Sequence, residues 1–249
     1  MKVFNLLRKI LMKIKKNTFD IILLIARPAA GKSEIIDYLK RTPIHERKEL
    51  FHIGEFEEID DFPMLWSWFE EDQILEEMGH SRLHTDQDQY FIGHQMWDLL
   101  IKKICLEYDK KIRDISHYHE TNTAVIEFAR GKQHGGFTRA FEHLSKSVIE
   151  KAAILYVDVS WEESLRKNEA RFNPDRPDSI LEHGLSKKKM EVLYRENDWQ
   201  EIVGENSEFI EIMGTKVPFA VFSNEDDVTT VRGEALGKRL EEVFSNLWG

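Results

Sequence analysis

Short apolar runs alternate along the chain with longer segments in which apolar residues recur every three or four positions. The short runs are rich in Ile, Val and Phe, which is typical of buried strands. Helical spacing is clearest around Trp97, Ile101 and Tyr108, which fall on one face of a helix. We therefore predict strands at residues 21–25, 50–53, 124–128, 154–157 and 219–222.

This alternation predicts an α/β fold of three layers, in which a parallel five-stranded sheet is covered by helices on both faces. Residues 19–249 form a single domain in this prediction. Two stretches are too long for simple connections, so we expect a helical insertion at residues 55–119 and a lid with a supporting helix at residues 172–217. Ligands of parallel sheets bind at the carboxyl ends of the strands, so polar residues that follow the strands are the candidates for a site.

The first 18 residues differ from the rest of the chain in charge. Residues 1–18 contain lysine and arginine but no acid, and Val3, Phe4, Leu7 and Ile10 have the spacing of an amphipathic helix. Such a helix could dock on a membrane surface or a partner, although an ordinary packed helix is the interpretation we favour. No apolar run in the chain reaches the roughly 20 residues that a helix needs to span a bilayer.

Composition narrows the classes of protein to consider. Hydrophobic residues make up 41% of the chain, which supports a folded core. The formal net charge of -10 argues against a nucleic-acid partner, because nucleic acids are polyanions. Cys105 is the single cysteine, so neither an intramolecular disulfide nor a cysteine metal cluster can form, and a reducing, cytoplasmic location is the simplest interpretation.

The sequence ARPAAGKS links the first predicted strand to a helical segment. A tight loop before a helix turns backbone N–H groups inward, and the helix N-terminus adds positive partial charge, so such a loop binds phosphates. The amides of Ala29, Ala30 and Gly31 are the candidate nest. Lys32 would contact the β- and γ-phosphates of a nucleotide, and Ser33 would bind Mg²⁺.

This motif resembles that of the P-loop kinases of small molecules, the group that contains nucleoside, nucleoside-monophosphate and sugar-acid kinases. The resemblance extends over most of residues 21–247 as architecture. It implies the P-loop NTPase fold, ATP and Mg²⁺ as cofactors, and a small-molecule acceptor. Ala26 stands where the motif has its first glycine and Pro28 removes one loop N–H, but the amides from Ala30 to Ser33 remain.

The third predicted strand leads into VIEFARG, which places Glu127 at its carboxyl end and Arg130 three residues later. The resemblance implies that an acid at this position orients Mg²⁺-bound water or takes the acceptor proton, and that a nearby arginine grips the acceptor. Glu127 is therefore a candidate both for catalysis and for binding the metal. The alternative is a structural ion pair between Glu127 and Arg130 at the edge of the sheet.

The predicted insertion, on the acceptor side of the site, opens with the acidic run GEFEEIDDFP. By the same resemblance, a carboxylate here binds or deprotonates the acceptor, and Asp61 is the favoured candidate. Glu55, Asp60 and Glu127 stay open as alternatives for the base. A solvated acidic turn, or Asp61 as a helix N-cap, would explain the run without a catalytic role.

Arginines follow the fourth predicted strand at Arg166, Arg171 and Arg176. The resemblance implies that lid arginines close on the triphosphate, where they offset the charge on the transferred oxygens. Salt bridges on a solvated helix face are the alternative. Asn224, at the end of the fifth predicted strand, would contact the adenine in this architecture, or belong to an ordinary turn rich in Asn and Asp.

Aromatic residues are frequent in the predicted insertion. They could stack on a nucleobase, although their helical spacing favours a place in the core. They are Trp66, Trp68, Phe69, Tyr90 and Phe91. His134, in the glycine-flanked loop GKQHGG, could contact a substrate or be an ordinary solvated histidine.

Together these features predict an ATP- and Mg²⁺-dependent phosphotransferase that passes the γ-phosphate to a small-molecule acceptor. The acceptor stays open between a nucleoside, a nucleotide, a sugar and a similar metabolite. One alternative is a nucleotide-binding switch that has no acceptor. A kinase of nucleic-acid ends is a second alternative, which the acidic insertion disfavours.

Overall fold

A six-stranded sheet lies at the centre of the computed structural model, which describes residues 17–171, 185–205 and 208–249. Neighbouring strands are parallel except for the last strand pair, β5 and β6, which is antiparallel. In chain order the strands are β1 (Ile21–Ala26), β2 (Glu58–Asp60), β3 (Ala124–Ala129), β4 (Ala152–Asp158), β5 (Phe209–Ile212) and β6 (Thr215–Ser223). Their order across the sheet is β2-β3-β1-β4-β6-β5.

Helices occupy most of the connections between the strands. Among the described helices, none combines the length and the apolar composition that crossing a bilayer requires. The helices are α1 (Lys32–Arg41), α2 (Ile44–Leu50), α3 (Asp61–Glu77), α4 (Gln95–Asp114), α5 (Tyr118–Thr121), α6 (Gly136–Glu142), α7 (Lys146–Ile149), α8 (Trp161–Arg171), α9 (Lys187–Tyr194), α10 (Trp199–Val203), α11 (Val228–Val231) and α12 (Glu234–Trp248). A 3₁₀ turn lies at Lys132–His134.

The sheet separates two hydrophobic cores, because successive side chains of a strand point to opposite faces. On one face, Ile21, Leu23 and Ile25 of β1 pack with residues of α4 and α6. On the other face, Ile22 and Leu24 pack with residues of α1 and α12. The predicted three-layer α/β architecture is thereby confirmed, and every residue of β1 is buried.

The predicted second strand at residues 50–53 is wrong. Helix α2 ends at Leu50, and the apolar residues that follow, Phe51 and Ile53, are buried without joining the sheet. The real strand, β2, contains three residues, and of these only Ile59 is fully buried. Strand β2 is so short and acidic that it shows no apolar periodicity. Phe51 and Ile53 are both buried in the core, and their spacing of two residues imitates the alternation of a strand.

The prediction of five parallel strands also misses the edge strand. Strand β5 pairs in antiparallel fashion with β6, so the sheet has six strands and is mixed. Residues 209–212 fall inside the stretch that was predicted to be a lid and supporting helix, of which residues 172–184 lie outside the described residues. The predicted N-terminal helix stays a prediction for the same reason, since description begins at residue 17.

Strand β1 is the topological switch point of the sheet, where the order in which strands are added changes from one side to the other. The chain places β2 and β3 on one side of β1, and β4 and β6 on the other side. In open parallel sheets, ligands bind in the crevice outside the carboxyl ends of the strands at such a point. The residues directly after β1 are those of the predicted phosphate loop.

Candidate active site

The predicted phosphate loop has the backbone conformation of an anion-binding nest. It connects β1 to α1, which begins at Lys32. Ala29 and Gly31 both have positive φ, at 55° and 112°, and Gly31 caps the helix without any side-chain hydrogen bond. The first N–H groups of α1 are therefore not used by a side chain at the cap, and the helix dipole adds positive potential at the same place.

Buried side chains fix the loop from behind. The Nδ2 group of Asn224 donates to the carbonyl of Ala30 at 2.7 Å and to Thr229 Oγ1 at 2.8 Å. A Cβ at Gly31 would lie 2.6 Å from the same hydroxyl, so only glycine fits here. Asn224 is fully buried and supports the loop instead of lining the cavity, which contradicts the predicted contact with a nucleotide.

Two further contacts tie the loop to neighbouring elements. Ser164 Oγ of α8 donates to the carbonyl of Pro28 at 2.8 Å. Arg27 donates to the carbonyls of Tyr194 and Arg195, at 2.5 and 2.9 Å, at the end of α9. Because these contacts use a carbonyl and a side chain of the loop, they hold it in place without using its backbone amides.

The loop opens onto a cavity of 1870 Å³ at the carboxyl ends of β1, β2 and β3. Its walls come from the phosphate loop, from α3 and the segment 89–97, from the 3₁₀ turn and α9, and from the end of α8. The cavity therefore lies at the point of the sheet where the strand order predicts a ligand. Typical pockets for one ligand measure roughly 300–1,000 Å³, so this cavity has room for two.

Two carboxylates stand side by side at the sheet edge. Asp60, the last residue of β2, is the register neighbour of Glu127, which lies two residues before the end of β3. Burial, followed by the charges of Glu127 and Asp61, raises the pKa of Asp60 to about 8. Burial also raises the pKa of Glu127, although the charges of Lys32 and Arg171 oppose this. The charge of Glu127 thus makes it costly for Asp60 to ionise, and the charge of Asp61 acts on Glu127 in the same direction.

Glu127 keeps one oxygen without a protein partner. Its Oε2 atom is buried and accepts no hydrogen bond, whereas Asp60 Oδ1 accepts one from the Phe62 amide at 2.9 Å and caps α3. A buried carboxylate oxygen without a donor is rare, because its desolvation is not offset. The Oε2 atom of Glu127 is therefore suited to bind a cation or to accept a hydrogen bond from a ligand.

Asp61 and Arg130, both predicted to be catalytic, bind each other. Arg130 Nη1 donates to Asp61 Oδ2 at 2.5 Å, and both side chains are almost completely buried. Arg130 also donates to the carbonyl of Ala129 at 2.7 Å and lies 5.2 Å from the ring centroid of Trp97. The structural ion pair that we considered for Arg130 thus forms with Asp61 and not with Glu127.

The remaining candidate acids differ from Asp61 in position. Asp60, not Asp61, is the N-cap of α3. Glu55 bridges Asn122, before the start of β3, and binds Arg47 at 3.2 Å, so it lies at the opposite end of the strand from Glu127. Asp60 is therefore the acid of this run that stands next to Glu127. The register of β2 against β3 shows this, and the sequence did not reveal that register.

The predicted lid arginines have different surroundings. Arg171, the last residue of α8, lines the cavity, and its charge acts on Glu127. Arg166 is exposed at the cavity rim and binds Glu163 and Asp227, so its salt bridges are those of the alternative interpretation. Arg176 lies outside the described residues.

Lys167 was not predicted, and nothing in its sequence context distinguishes it from its neighbours. Its Nζ donates to Asp227 Oδ1 at 2.5 Å and to Thr229 Oγ1 at 3.0 Å, and the side chain is buried. The hydroxyl of Thr229 also accepts from Asn224, behind the phosphate loop. Lys167 therefore joins α8 to the support of the loop.

The aromatic residues of the insertion divide into two groups. Trp68 is buried, as expected of a core residue, and its ring stacks on that of His84 with 5.5 Å between the ring centroids. The other four, Trp66, Phe69, Tyr90 and Phe91, are half-buried and line the cavity. His134 is neither solvated nor exposed, since it is buried against Trp97 with a centroid distance of 3.7 Å.

Comparison with known proteins adds little to this geometry. No family model matches the chain, and no curated protein matches it. An unliganded sugar kinase from Janibacter sp. HTCC2649 matches over 91% of this chain and 95% of its own length, with 13% identity and a TM-score of 0.38. A shikimate kinase from Acinetobacter baumannii, in complex with shikimate, matches over 66% and 73%, with 14% identity and a TM-score of 0.32. Likenesses this weak carry no argument, so the interpretation rests on the site itself.

Proposed function

We propose that the chain is an ATP- and Mg²⁺-dependent kinase that transfers the γ-phosphoryl group to a small-molecule acceptor held in the cavity. The observation that carries this proposal is the combination of a phosphate nest with an adjacent pair of carboxylates at one cavity. A nest alone would suit any nucleotide-binding protein. Buried acids next to it, in a cavity with room for a second ligand, favour transfer to an acceptor.

The donor nucleotide binds through backbone amides in this proposal. The amides of Ala29, Ala30, Gly31 and Ser33 hold the phosphate oxygens, and Lys32 supplies a positive charge beside them. Lys32 is buried and lines the cavity, so its charge lies next to a phosphate that binds the loop. Arg171 lines the same cavity and would offset charge on the transferred oxygens.

The donor atoms around the loop fit Mg²⁺. This ion prefers oxygen ligands, and Ser33 offers an exposed hydroxyl at the start of α1. The orphaned Oε2 atom of Glu127 is the second candidate ligand, directly or through water. When bound, Mg²⁺ would neutralise charge on the β- and γ-phosphate oxygens.

Asp60 is the best candidate for the general base. A base is most effective when its pKa lies near the working pH, and burial beside Glu127 raises the pKa of Asp60 to about 8. Asp60 would take the proton of the acceptor hydroxyl as that oxygen attacks the γ-phosphorus. The Asp61–Arg130 ion pair, which shares the wall of the cavity, then has the role of holding the end of β3 against α3.

The test is a ³¹P-monitored reaction of the protein with Mg·ATP and a mixed pool of metabolites, compared with the Lys32→Ala variant. Removing one preorganised electrostatic contact to the transition state typically costs about 10²–10³ in rate, so the variant should lose phosphorylated product by that factor. Lys238→Ala, which removes an exposed lysine of α12, is the matched control and should react as the wild type does.

Two results would contradict the proposal. Free phosphate as the only product, whatever acceptor is present, would favour the nucleotide-binding switch. Product formation that survives in Lys32→Ala would show that the phosphate loop is not where the donor binds.

A further inference from the structure

Aromatic rings form a continuous wall on the acceptor side of the cavity. We call this set the ring wall: Phe62, Trp66, Phe69, Phe91, Trp97 and His134. Successive ring centroids lie 5.8, 6.3, 5.9, 4.8 and 3.7 Å apart. Except for His134, these side chains are half-buried, and all six line the cavity. Flat aromatic surface of this kind recognises a ring-shaped ligand by stacking.

The histidine at the end of the ring wall is uncharged. Burial, followed by the charges of Arg130 and His94, lowers the pKa of His134 to about 2. Its Nδ1 atom accepts from the Gly131 amide at 3.4 Å, which puts the proton on Nε2. Nε2 is buried and has no hydrogen-bond partner in the described part of the chain. His134 therefore carries no positive charge that an anion could pair with.

Most cations around this side of the cavity are already neutralised by carboxylates. Among the described residues that line it, Lys40 pairs with Glu58, Arg82 with Glu76, Lys111 with Glu57, and Arg130 with Asp61. Recruiting any of these cations to an anionic acceptor would release a carboxylate beside that acceptor. The gain of one ion pair would be offset by the loss of another.

Lys189 is the cation on this side that has no carboxylate within bonding distance among the described residues. Its amine donates to the side chain of Gln89 at 3.2 Å and lies 5.4 Å from the ring centroid of Tyr90. Burial lowers the pKa of Lys189, and the charges of Asp86 and Asp88 act on it in the opposite direction. The potential around Lys189 is therefore partly cancelled by acids nearby.

Asp60 and Glu127 line the cavity together with the phosphate loop, so in the proposed function they lie near the place where the acceptor approaches the γ-phosphate. A negative charge on the acceptor would face the charge of this carboxyl pair and the triphosphate together. Like charges placed in this way act against a partner and so determine specificity.

We infer that the acceptor is an uncharged, ring-bearing alcohol of the nucleoside type, and not a phosphorylated or carboxylated metabolite. This inference rests on the proposed kinase function and on the juxtaposition of the ring wall with neutralised cations. In the reaction, the acceptor hydroxyl oxygen forms a bond to the γ-phosphorus, and the bond from that phosphorus to the bridging oxygen of ADP breaks. The hydroxyl proton passes to the Asp60 carboxylate, and ADP leaves.

Binding of matched probes tests the inference directly. Thymidine, uridine and pyridoxine are neutral ring-bearing alcohols, whereas thymidine 5′-monophosphate, uridine 5′-monophosphate and D-gluconate are anionic. Trp66 and Trp97 belong to the ring wall, so quenching of tryptophan fluorescence reports occupancy. With Mg·ADP present, at least one neutral probe should bind ten times more tightly than the monophosphates and gluconate do. Tighter binding of an anionic probe, or no saturable quenching by any neutral probe, would overturn the inference.

Variants of the ring wall separate stacking from simple burial. Phe91→Ala should raise the Kd of the neutral probe at least tenfold while the Kd of Mg·ATP changes less than twofold. Phe91→Leu keeps apolar volume without a ring and should lose most of the same affinity. If Phe91→Leu binds the probe as the wild type does, ring stacking is not the basis of recognition.

A transfer assay distinguishes failure of this inference from failure of the proposed function. Release of ADP with thymidine 5′-monophosphate or gluconate, and not with a neutral alcohol, would leave the kinase intact and overturn the acceptor class. Hydrolysis of ATP with no phosphorylated product from any probe would overturn both.

Discussion

The two sides of the cavity present different chemical groups: backbone amides on one side and side chains on the other. On the donor side, the phosphate loop presents backbone amides, and buried side chains such as Asn224 and Ser164 act from behind to hold its shape. On the acceptor side, the surface consists of side chains, namely the ring wall and the Asp61–Arg130 ion pair. Triphosphates are alike in every nucleotide, so a backbone nest suffices for them. An acceptor needs a surface that is specific to it, and side chains provide that.

This contrast predicts different responses to substitution. Changes behind the phosphate loop should affect the binding of Mg·ATP, because they alter the direction of the amides. Changes in the acceptor wall should affect stability or acceptor binding and leave the affinity for the nucleotide nearly unchanged. Measuring the Kd of Mg·ATP and the free energy of unfolding on the same variants therefore tests the division.

Gly31→Ala should have the largest effect. The residue has a φ of 112°, and the new Cβ would lie 2.6 Å from Thr229 Oγ1. Left-handed backbone costs an alanine about 1–2 kcal/mol, and forced overlap adds about 1–3 kcal/mol. We expect the variant to lose stability by about the sum of these two costs. We also expect calorimetry to show no measurable binding of Mg·ATP.

Gly214→Ala is the matched control for the effect of backbone strain. Gly214 has a φ of 79° and open space where its Cβ would stand. This variant should lose about 1–2 kcal/mol of stability and bind Mg·ATP as the wild type does. Equal nucleotide affinity in Gly31→Ala would contradict the importance of the crowded loop.

Asp61→Asn should destabilise the acceptor side without abolishing nucleotide binding. The substitution leaves the guanidinium of Arg130 buried without its carboxylate, and breaking a buried ion pair in this way costs about 3–5 kcal/mol. Chemical denaturation measures the loss. The double variant Asp61→Asn/Arg130→Met removes both charges and should be more stable than Asp61→Asn alone. A double variant less stable than the single one would show that the pair is not coupled.

The position of the ARPAAGKS loop between β1 and α1 was predictable from sequence for a physical reason. The motif ARPAAGKS is contiguous, so one short stretch contains the strand end, the loop and the start of α1. Predicted strands at residues 21–25, 124–128, 154–157 and 219–222 also lie within observed strands, because long apolar runs enter a sheet that is buried on both faces. Local pattern and tertiary structure agree in these elements.

The acceptor side could not be predicted in the same way, because its contacts join residues far apart in the chain. Asp60 meets Glu127 through the pairing of β2 with β3, and β2 is too short to show periodicity. Without this register, the sequence could not show that Asp60, and not Asp61, lies next to Glu127. It also could not show that Arg130 pairs with Asp61. Asn224 looked like a turn residue near a ligand, and its place behind the loop follows from the approach of β6 to α1.

Asp60→Asn should remove a dependence of stability on pH. In the unfolded chain Asp60 titrates near 3.8, whereas burial raises its pKa in the folded protein to about 8. Between these values the folded state holds a proton that the unfolded state releases, so wild-type stability falls as pH rises through this window. The slope is at most about 1.4 kcal/mol per pH unit for one proton.

Urea denaturation of the metal-free protein at several pH values between 4 and 8 measures this slope. The asparagine in Asp60→Asn does not titrate, so this variant escapes the loss of stability that the wild type suffers as pH rises. The stability of the variant relative to the wild type should therefore increase with pH. Parallel curves for the two proteins would mean that Asp60 ionises normally, which would also remove the argument for Asp60 as the base.

Controls aside, Asp72→Asn should cause the smallest loss of stability among these substitutions. It should leave the affinity for Mg·ATP unchanged, because Asp72 supports only the acceptor side of the cavity. The fully buried carboxylate of Asp72, on α3, accepts from the amides of Leu83, His84 and Thr85 and from the Thr85 hydroxyl. These bonds shape the segment that leads to Phe91. An asparagine would turn an NH₂ group toward these donors, so we expect a loss of about 1.5–3 kcal/mol, as for hydrogen bonds to a charged group.

The pH dependence of this loss identifies its cause. Burial alone would raise the pKa of Asp72, but the hydrogen bonds from Thr85, Leu83 and His84 outweigh it and hold the pKa below 3.8. The carboxylate therefore stabilises the fold above the unfolded value, and this contribution disappears as pH falls through the lower, folded value. The difference between wild type and Asp72→Asn should be full at pH 7 and shrink in acid, while the exposed control Asp114→Asn changes little. A difference that stays constant with pH would assign the effect to side-chain shape and not to charge.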